Sequence, residues 1–199
     1  GLKYAPFFNK ELVMASEVSI CNRALAMLGA NTIISLTDGS TEANVCNAVY
    51  ADARDAILRA YPWSCAIQRA TLAQLSTAPG WGFTKAYSLP NDPHCLAVLD
   101  LKEESQYRVE GRSLICNTDT ATIKYVARIT DPGQFDPALV FSLSCRISAE
   151  IAYALTQNRS LANDMWSMSE KSINDAAMYD GAEVGAEDIT ATILENVRA

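Results

Sequence analysis

Between Ser19 and Trp63 the chain spells out a helix, a connector, a second helix and a bulky stop, and this unit limits the possible folds more than any other stretch. Val18, Cys21, Leu25 and Leu28 recur at helical spacing and share one face. Ser16, Glu17 and Ser19 supply capping groups and a negative charge at the helix start. Gly29 ends the helix. The connector from Ala30 to Ser40 carries Asp38-Gly39 as turn chemistry, with Ile33, Ile34 and Leu36 as apolar plugs. Ser40 or Thr41 caps the second helix. Its inward stripe is expected at Val45, Val49, Ala53, Ala56 and Ala60, with Asp52, Arg54, Asp55 and Arg59 facing outward. Pro62 stops this helix because proline lacks the amide hydrogen and disfavours helical geometry in the residue before it. Trp63 then reads as a wedge sealing the joint between helix and sheet.

Beyond Trp63 the helical period is lost. Cys65–Leu72, Ala86–Leu89, Cys95–Leu101, Gln106–Val109, Ser113–Cys116 and Thr122–Ile129 are strand-like runs. They are punctuated by Ala78-Pro79-Gly80, Pro90-Asn91-Asp92-Pro93, Glu110-Gly111 and Asn117-Thr118-Asp119, as hairpin-connected antiparallel strands require. Helical character returns at Phe135-Asp136-Pro137, with Asp136 as cap and Pro137 in the first turn. Residues Ala138 to Leu155 are apolar nearly all round, which predicts a central helix, and Arg146 and Glu150 are spaced to pair. A fourth helix, Leu161–Tyr179, is expected to return antiparallel with Met165, Met168, Ile173, Ala176 and Ala177 inward. The expected fold is α+β and mainly α: an antiparallel four-helix bundle with a small antiparallel β-sheet inserted between helices 2 and 3. In residue terms, 14–63 and 135–180 make the bundle, 64–134 the inserted β lobe and 181–199 a C-terminal tail. Residues 1–13 precede Met14 and read as an expression leader.

The 199 residues are 49% hydrophobic and 20% charged, enough to bury a core and too ordinary for disorder. No unbroken run of about eighteen apolar residues occurs, and no secretion signal is recognisable. The net charge of −7 gives no electrostatic footprint for gripping phosphates. Cys21, Cys46, Cys65, Cys95, Cys116 and Cys145 stand 19 to 30 residues apart, so no C-x-x-C pair offers a zinc or redox motif. They read as reduced core thiols.

Reactive groups are sparse. His94 is the sole histidine, placed in a turn, so a triad or a histidine metal site rests on it alone. Asp92/Asp100 and Glu103/Glu104 are the carboxylate pairs a glycosidase would need, though adjacent acids in loops are commonly solvated. Gly80-Trp81-Gly82 lacks the Gly-Lys-Ser of a phosphate loop. Trp63, Trp81 and Phe83, with Arg69 and Lys85 nearby, are the candidates for base stacking. Met165-Trp166-Ser167-Met168 reads as core or subunit contact. No catalytic, cofactor or metal residues are assigned.

The tail after Gly181 is acidic, yet Ile189, Ile193 and Val197 are four apart, so a helix there would line them up for docking. The same tail also fits one that packs on its own domain.

The order of these parts resembles the head-to-tail adaptor proteins of short-tailed, double-stranded DNA phages, known as tail tubular protein A or packaged DNA stabilisation protein. The resemblance is carried by Ile20-Cys21-Asn22-Arg23-Ala24-Leu25 through Leu28-Gly29, by Ile34-Ser35-Leu36 with Asp38 and Glu42-Ala43, and by Tyr50 through Arg54-Asp55 to Tyr61-Pro62-Trp63. Tyr87-Ser88-Leu89-Pro90 with Asp92 and Cys95-Leu96 adds to it, as does Phe135-Asp136-Pro137 leading to Ala149-Glu150-Ile151-Ala152. It spans Glu17 to about Tyr179. The resemblance implies a non-enzymatic virion protein, made in the host cytoplasm. It would form a ring, of twelve copies in the family, between the portal protein and the tail nozzle protein, retaining packaged DNA that passes through the channel without sequence-specific contact. It also implies a C-terminal segment that reaches the portal, which places that contact at Ile189, Ile193 and Val197. A ring further needs two complementary patches on each subunit, and the apolar third helix and the sheet edge near Trp81 and Phe83 are the candidates. No cofactor and no membrane are implied. A cell-wall hydrolase using paired carboxylates and a small DNA-binding module are the other classes the residues leave open.

Overall fold

Ser16 opens the first helix, α1 (Glu17–Leu28), through a reciprocal capping box. Its hydroxyl accepts from the Ser19 amide at 3.1 Å, and the Ser19 hydroxyl accepts from the Ser16 amide at 2.8 Å, so two backbone donors are satisfied that no helical carbonyl can reach. Gly29 closes the helix in the left-handed region with φ 68°, where a side chain would be strained. The computed structural model describes residues 15–183. The expected leader and the tail residues Ile189, Ile193 and Val197 lie outside the described residues.

The second helix, α2 (Thr41–Ala60), starts where the Ser40 hydroxyl accepts from the Ala43 amide. Its buried stripe is Ala43, Cys46, Tyr50, Ala53, Arg54, Ile57 and Leu58, about one residue (~100°) away from the expected Val45-Val49-Ala56-Ala60 line. Ala53 lies on both lines; Val45, Val49 and Ala56 are half-buried flanks and Ala60 is exposed. Arg54, expected outward, is buried because its guanidinium is bonded to Asp55. Past Pro62, Trp63 turns back into the core, only 1% exposed, and donates its indole N–H to the Ile57 carbonyl at 2.9 Å. That carbonyl belongs to the last turn of α2, where no helical donor remains. Tyr61 meets Trp63 edge to face, with ring centroids 5.3 Å apart.

The expected bundle with one small sheet is not the architecture found. Seven strands form two antiparallel sheets beside four α-helices among the described residues. The strands are β1 (Ile67–Thr71), β2 (Ala73–Gln74), β3 (Lys85–Ser88), β4 (Cys95–Leu101), β5 (Tyr107–Glu110), β6 (Ser113–Cys116) and β7 (Thr122–Ala127). One sheet has the order β1-β7-β4 and the other β2-β3-β6-β5. The chain passes from the first to the second at Leu72, a buried corner whose amide bonds to the Ala121 carbonyl. The sequence runs mark strands, but sheet membership depends on β1 pairing with β7 far along the chain, Ile67 opposite Val126, and no local pattern encodes that pairing.

Alternation along β7 assigns the layers. Ile123, Tyr125 and Ala127 face a core shared with Tyr87, Leu114 and Cys116 of the second sheet. Val126 points the other way, into the helical core with Trp63, Ile57 and Leu143. The first sheet is therefore a middle layer, with helices on one face and the second sheet on the other. This places the lobe boundary at a shared, buried strand.

The third helix, α3 (Pro137–Thr156), is capped by Asp136, whose carboxylate accepts from the Ala138 amide at 2.7 Å. It contacts α1, α2 and α4 (Arg159–Glu183), and its contact with α4 is the most extensive between any two described elements. By length and composition α3 could cross a membrane, but 56% of its most apolar stretch is buried within the protein, as befits a central helix. The α4 face turned inward is small: Ala162, Ser169, Ser172 and Ala176 are buried. Met165 and Ile173 pack at its margin, whereas Met168 is exposed and the Ala177 side chain is not among the described ones. The buried residues of α3 include the small Ser142, Cys145, Ser148, Ala149 and Ala152, and small side chains on both helices suit so extensive a contact.

Replacing Trp63 with alanine should cost about 3–5 kcal/mol through the cavity it leaves. Trp63→Phe should cost about 1–3 kcal/mol, much of it from the orphaned Ile57 carbonyl. Urea midpoints of the two variants and the parent check both figures.

Candidate functional site

The end of α2, the start of β4 and the β5–β6 hairpin meet around a cleft of about 430 Å³. Each wall has a local cause. The last turn of α2 carries Arg59, which donates to the Leu96 carbonyl. The turn before β4 is closed by an Asn91–His94 bridge across a cis Asp92–Pro93 bond. The two-residue hairpin connection is Gly111-Arg112, and Gly111 adopts φ 57°, which glycine supplies without steric cost. This turn aims Arg112 across the cleft mouth. Its guanidinium donates to the carbonyls of Cys95 (2.8 Å) and Pro90 (2.5 Å) and to the Asn91 side chain (3.2 Å).

Arg59, His94 and Arg112 line the cleft beside Leu89, Val98 and Val109, and no carboxylate is among its lining residues. Beneath it, Asp55 lies between two guanidinium groups, those of Arg54 at 2.8 Å and Arg128 at 2.5 Å. Partial burial, then Arg112 and Arg128, push the His94 imidazole below its ordinary range. Arg112 approaches His94 Nε2 at 3.3 Å, a geometry that suits an unprotonated acceptor nitrogen. A basic, part-apolar cleft thus sits on a chain of net charge −7.

The sequence candidates do not converge. His94 and Asp92 precede β4, and Glu103 and Glu104 follow it; seven strand residues at about 3.3 Å each hold the two groups roughly 20 Å apart. Glu103 accepts from the Thr122 amide at 3.0 Å, a structural use that ties the strand end. Asp100 and Glu104 line a separate hollow with Arg69, Lys102 and Lys124. Trp63 is interior, with no face free for a base, and Lys85 is paired with Asp119. Cys21, Cys46, Cys95, Cys116 and Cys145 are buried free thiols, and Cys65 is half-buried. Among the described residues no group of three His, Cys, Asp or Glu is placed to hold a metal ion. Arg146 pairs with Glu150 at 2.6 Å and lies over the half-exposed Trp166 ring, 4.5 Å from its centroid.

Large apolar side chains at the surface are better placed for contact. Trp81 is 84% exposed in the β2–β3 connection that also holds Gly80 and Gly82. Phe83 is half-buried beside it, and both line a recess of about 160 Å³ with Pro79, Arg108 and Ile115. Ile34, expected as a plug, is 92% exposed, while Ile33 is 4% exposed. Neighbours in extended chain point to opposite sides, so only one of the two could enter the core. The Asn22 side chain decides which: it accepts from the Ile33 amide (2.7 Å) and donates to the Ile33 carbonyl (2.9 Å). The cleft left no sequence signature, because Arg59, His94 and Arg112 are separated in the chain and meet only through the strand pairing.

No protein-family model and no curated protein matches the chain.

Since His94 binds its proton less readily in the folded chain than in the unfolded one, stability is whole above about pH 6.5 and falls as pH drops through that value. His94 is the sole histidine, so His94→Gln should flatten the loss between about pH 7 and 5.5. Urea melts across that window read the difference.

Proposed function

We propose that this chain is a structural virion protein, the head-to-tail adaptor of a short-tailed double-stranded DNA phage. It forms a ring that joins the portal protein to the tail nozzle protein and retains the packaged genome. The observation that carries the reading is the contrast between surface and chemistry. Ile34 and Trp81 stand in solvent as large apolar contacts, while Glu103 and Glu104 are held away from Asp92 and His94 by the length of β4. A protein that works by contact needs the first and has no use for convergence of the second.

The resemblance that runs from Glu17 to about Tyr179 supplies the particular assembly. Repeating one heterologous contact closes a ring when the rotation fits, and weak contacts suffice when many copies dock on one portal. In this reading Trp81 and Phe83 contribute to the contact between copies. The segment Ala182–Ala199, through Ile189, Ile193 and Val197, reaches the portal. The acidic charge lets DNA slide along a channel wall without being gripped.

Mixing the purified chain with its cognate portal and imaging the product by electron microscopy should reveal a ring stacked on the portal. Persistent failure to co-migrate overturns the proposal. Truncation after Gly181 should weaken capture severalfold, and unchanged capture would remove the tail from the portal contact.

A further inference from the structure

The α1–α2 connector holds Ile34 in solvent on a frame of hydrogen bonds. Asn22 grips the Ile33 backbone from both sides. The Asp38 carboxylate accepts from the Ile34 amide (3.3 Å), the Ser40 amide (2.9 Å) and the Ser40 hydroxyl (2.6 Å), which pins Ile34 beside the N-cap of α2. Asn31 donates to Glu42 at 3.0 Å. An exposed isoleucine on such a frame is a preordered knob, and ordering cost on contact is small. Every formal charge from Asn31 to Glu42 is negative, supplied by Asp38 and Glu42.

The cleft at the other end of α2 has the opposite character, with Arg59 and Arg112 at its mouth and Leu89, Val98 and Val109 on its walls. Knob and cleft are separated by the 20 residues of α2, about 30 Å of helix, so one chain cannot bring its own pair together. From the opposite charges of the two surfaces and the apolar character common to both, we infer that the Ile34 knob of one copy seats in the Arg59–Arg112–Val109 cleft of the next. The contact is heterologous, head to tail along α2, and such contacts close as rings or run on as filaments. It deepens the ring reading and rests on it only for the closure, since the two surfaces are defined independently of any portal.

The test uses two variants on exposed positions, Ile34→Asp and Val109→Asp, with Arg59→Glu as a second cleft variant, each checked by circular dichroism for an unchanged fold. Sedimentation velocity on the unmodified chain should show concentration-dependent association by about 1 mM, and each variant alone should associate at least about tenfold more weakly. An equimolar mixture of Ile34→Asp and Val109→Asp should give dimers and nothing larger, because one intact knob and one intact cleft remain. Three results overturn the contact. They are no self-association of the unmodified chain, association unaffected by Ile34→Asp, and a cleft that retains DNA at low salt and loses it in Arg59→Glu while self-association persists. Rings that assemble on the portal unimpaired from Ile34→Asp subunits sink the contact and leave the adaptor reading standing. A knob–cleft dimer in a chain that never binds a portal does the reverse.

Discussion

The structure depends on β7 reaching two cores at once, although Thr122 and Lys124 beside Val126 are only half-buried. A strand at a sheet edge or surface needs one apolar side; β7 offers Ile123, Tyr125 and Ala127 to one core and Val126 to another. Each large side chain so buried contributes on the order of 1.5–3 kcal/mol. Its backbone groups are taken up on both sides as well, by β1 and β4. Tyr125 can sit at this depth because its hydroxyl donates to Gln68 at 3.3 Å, so the polar end is not orphaned. With α3 central among the helices and β7 central among the strands, the surface loops hang from one layered frame.

That frame was only partly legible in the residues. Helix limits announce themselves through local chemistry, so Ser16, Gly29, Asp136 and Pro137 mark them plainly, and strand runs are bounded by proline and glycine turns. The division of the strands into two sheets was not legible. It turns on a corner at Leu72 and on the pairing of Ile67 with Val126, which are consequences of tertiary packing. On α2 and α4 the buried line is set by fit against the neighbouring helices and not by apolar identity alone. On α2, Tyr50 and Ile57 are buried and Val45 and Val49 flank them, and on α4, Ser169 and Ser172 are buried where Met168 is exposed. The cleft residues were invisible in sequence for the same reason that the sheets were, since Arg59, His94 and Arg112 meet only once β4 and the β5–β6 hairpin are in register.

The distribution of charge is set by the frame. Asp55 neutralises part of the Arg54 and Arg128 pair beneath the cleft, and Arg112 spends its donors on carbonyls of the turn before β4. What remains is a rigid basic rim over an apolar wall, opposite in sign to the chain as a whole. Of the acids that sequence alone offered for catalysis, Glu103 ties a strand end, Asp100 and Glu104 line another hollow, and Asp92 stays in the turn before β4. Function proposed for such a molecule lies in holding unlike surfaces at fixed separations, and β7 and α2 set those separations.

Native-state hydrogen exchange tests this directly, by comparing amides of Ile123 to Val126 with those in the middle of α3 under low denaturant. If β7 joins both cores into one cooperative unit, the two sets open with the same free energy and the same denaturant dependence. Amides of β7 that open at clearly lower free energy than those of α3 would contradict it, because the sheets could then come away from the helices and the surfaces would have no fixed spacing.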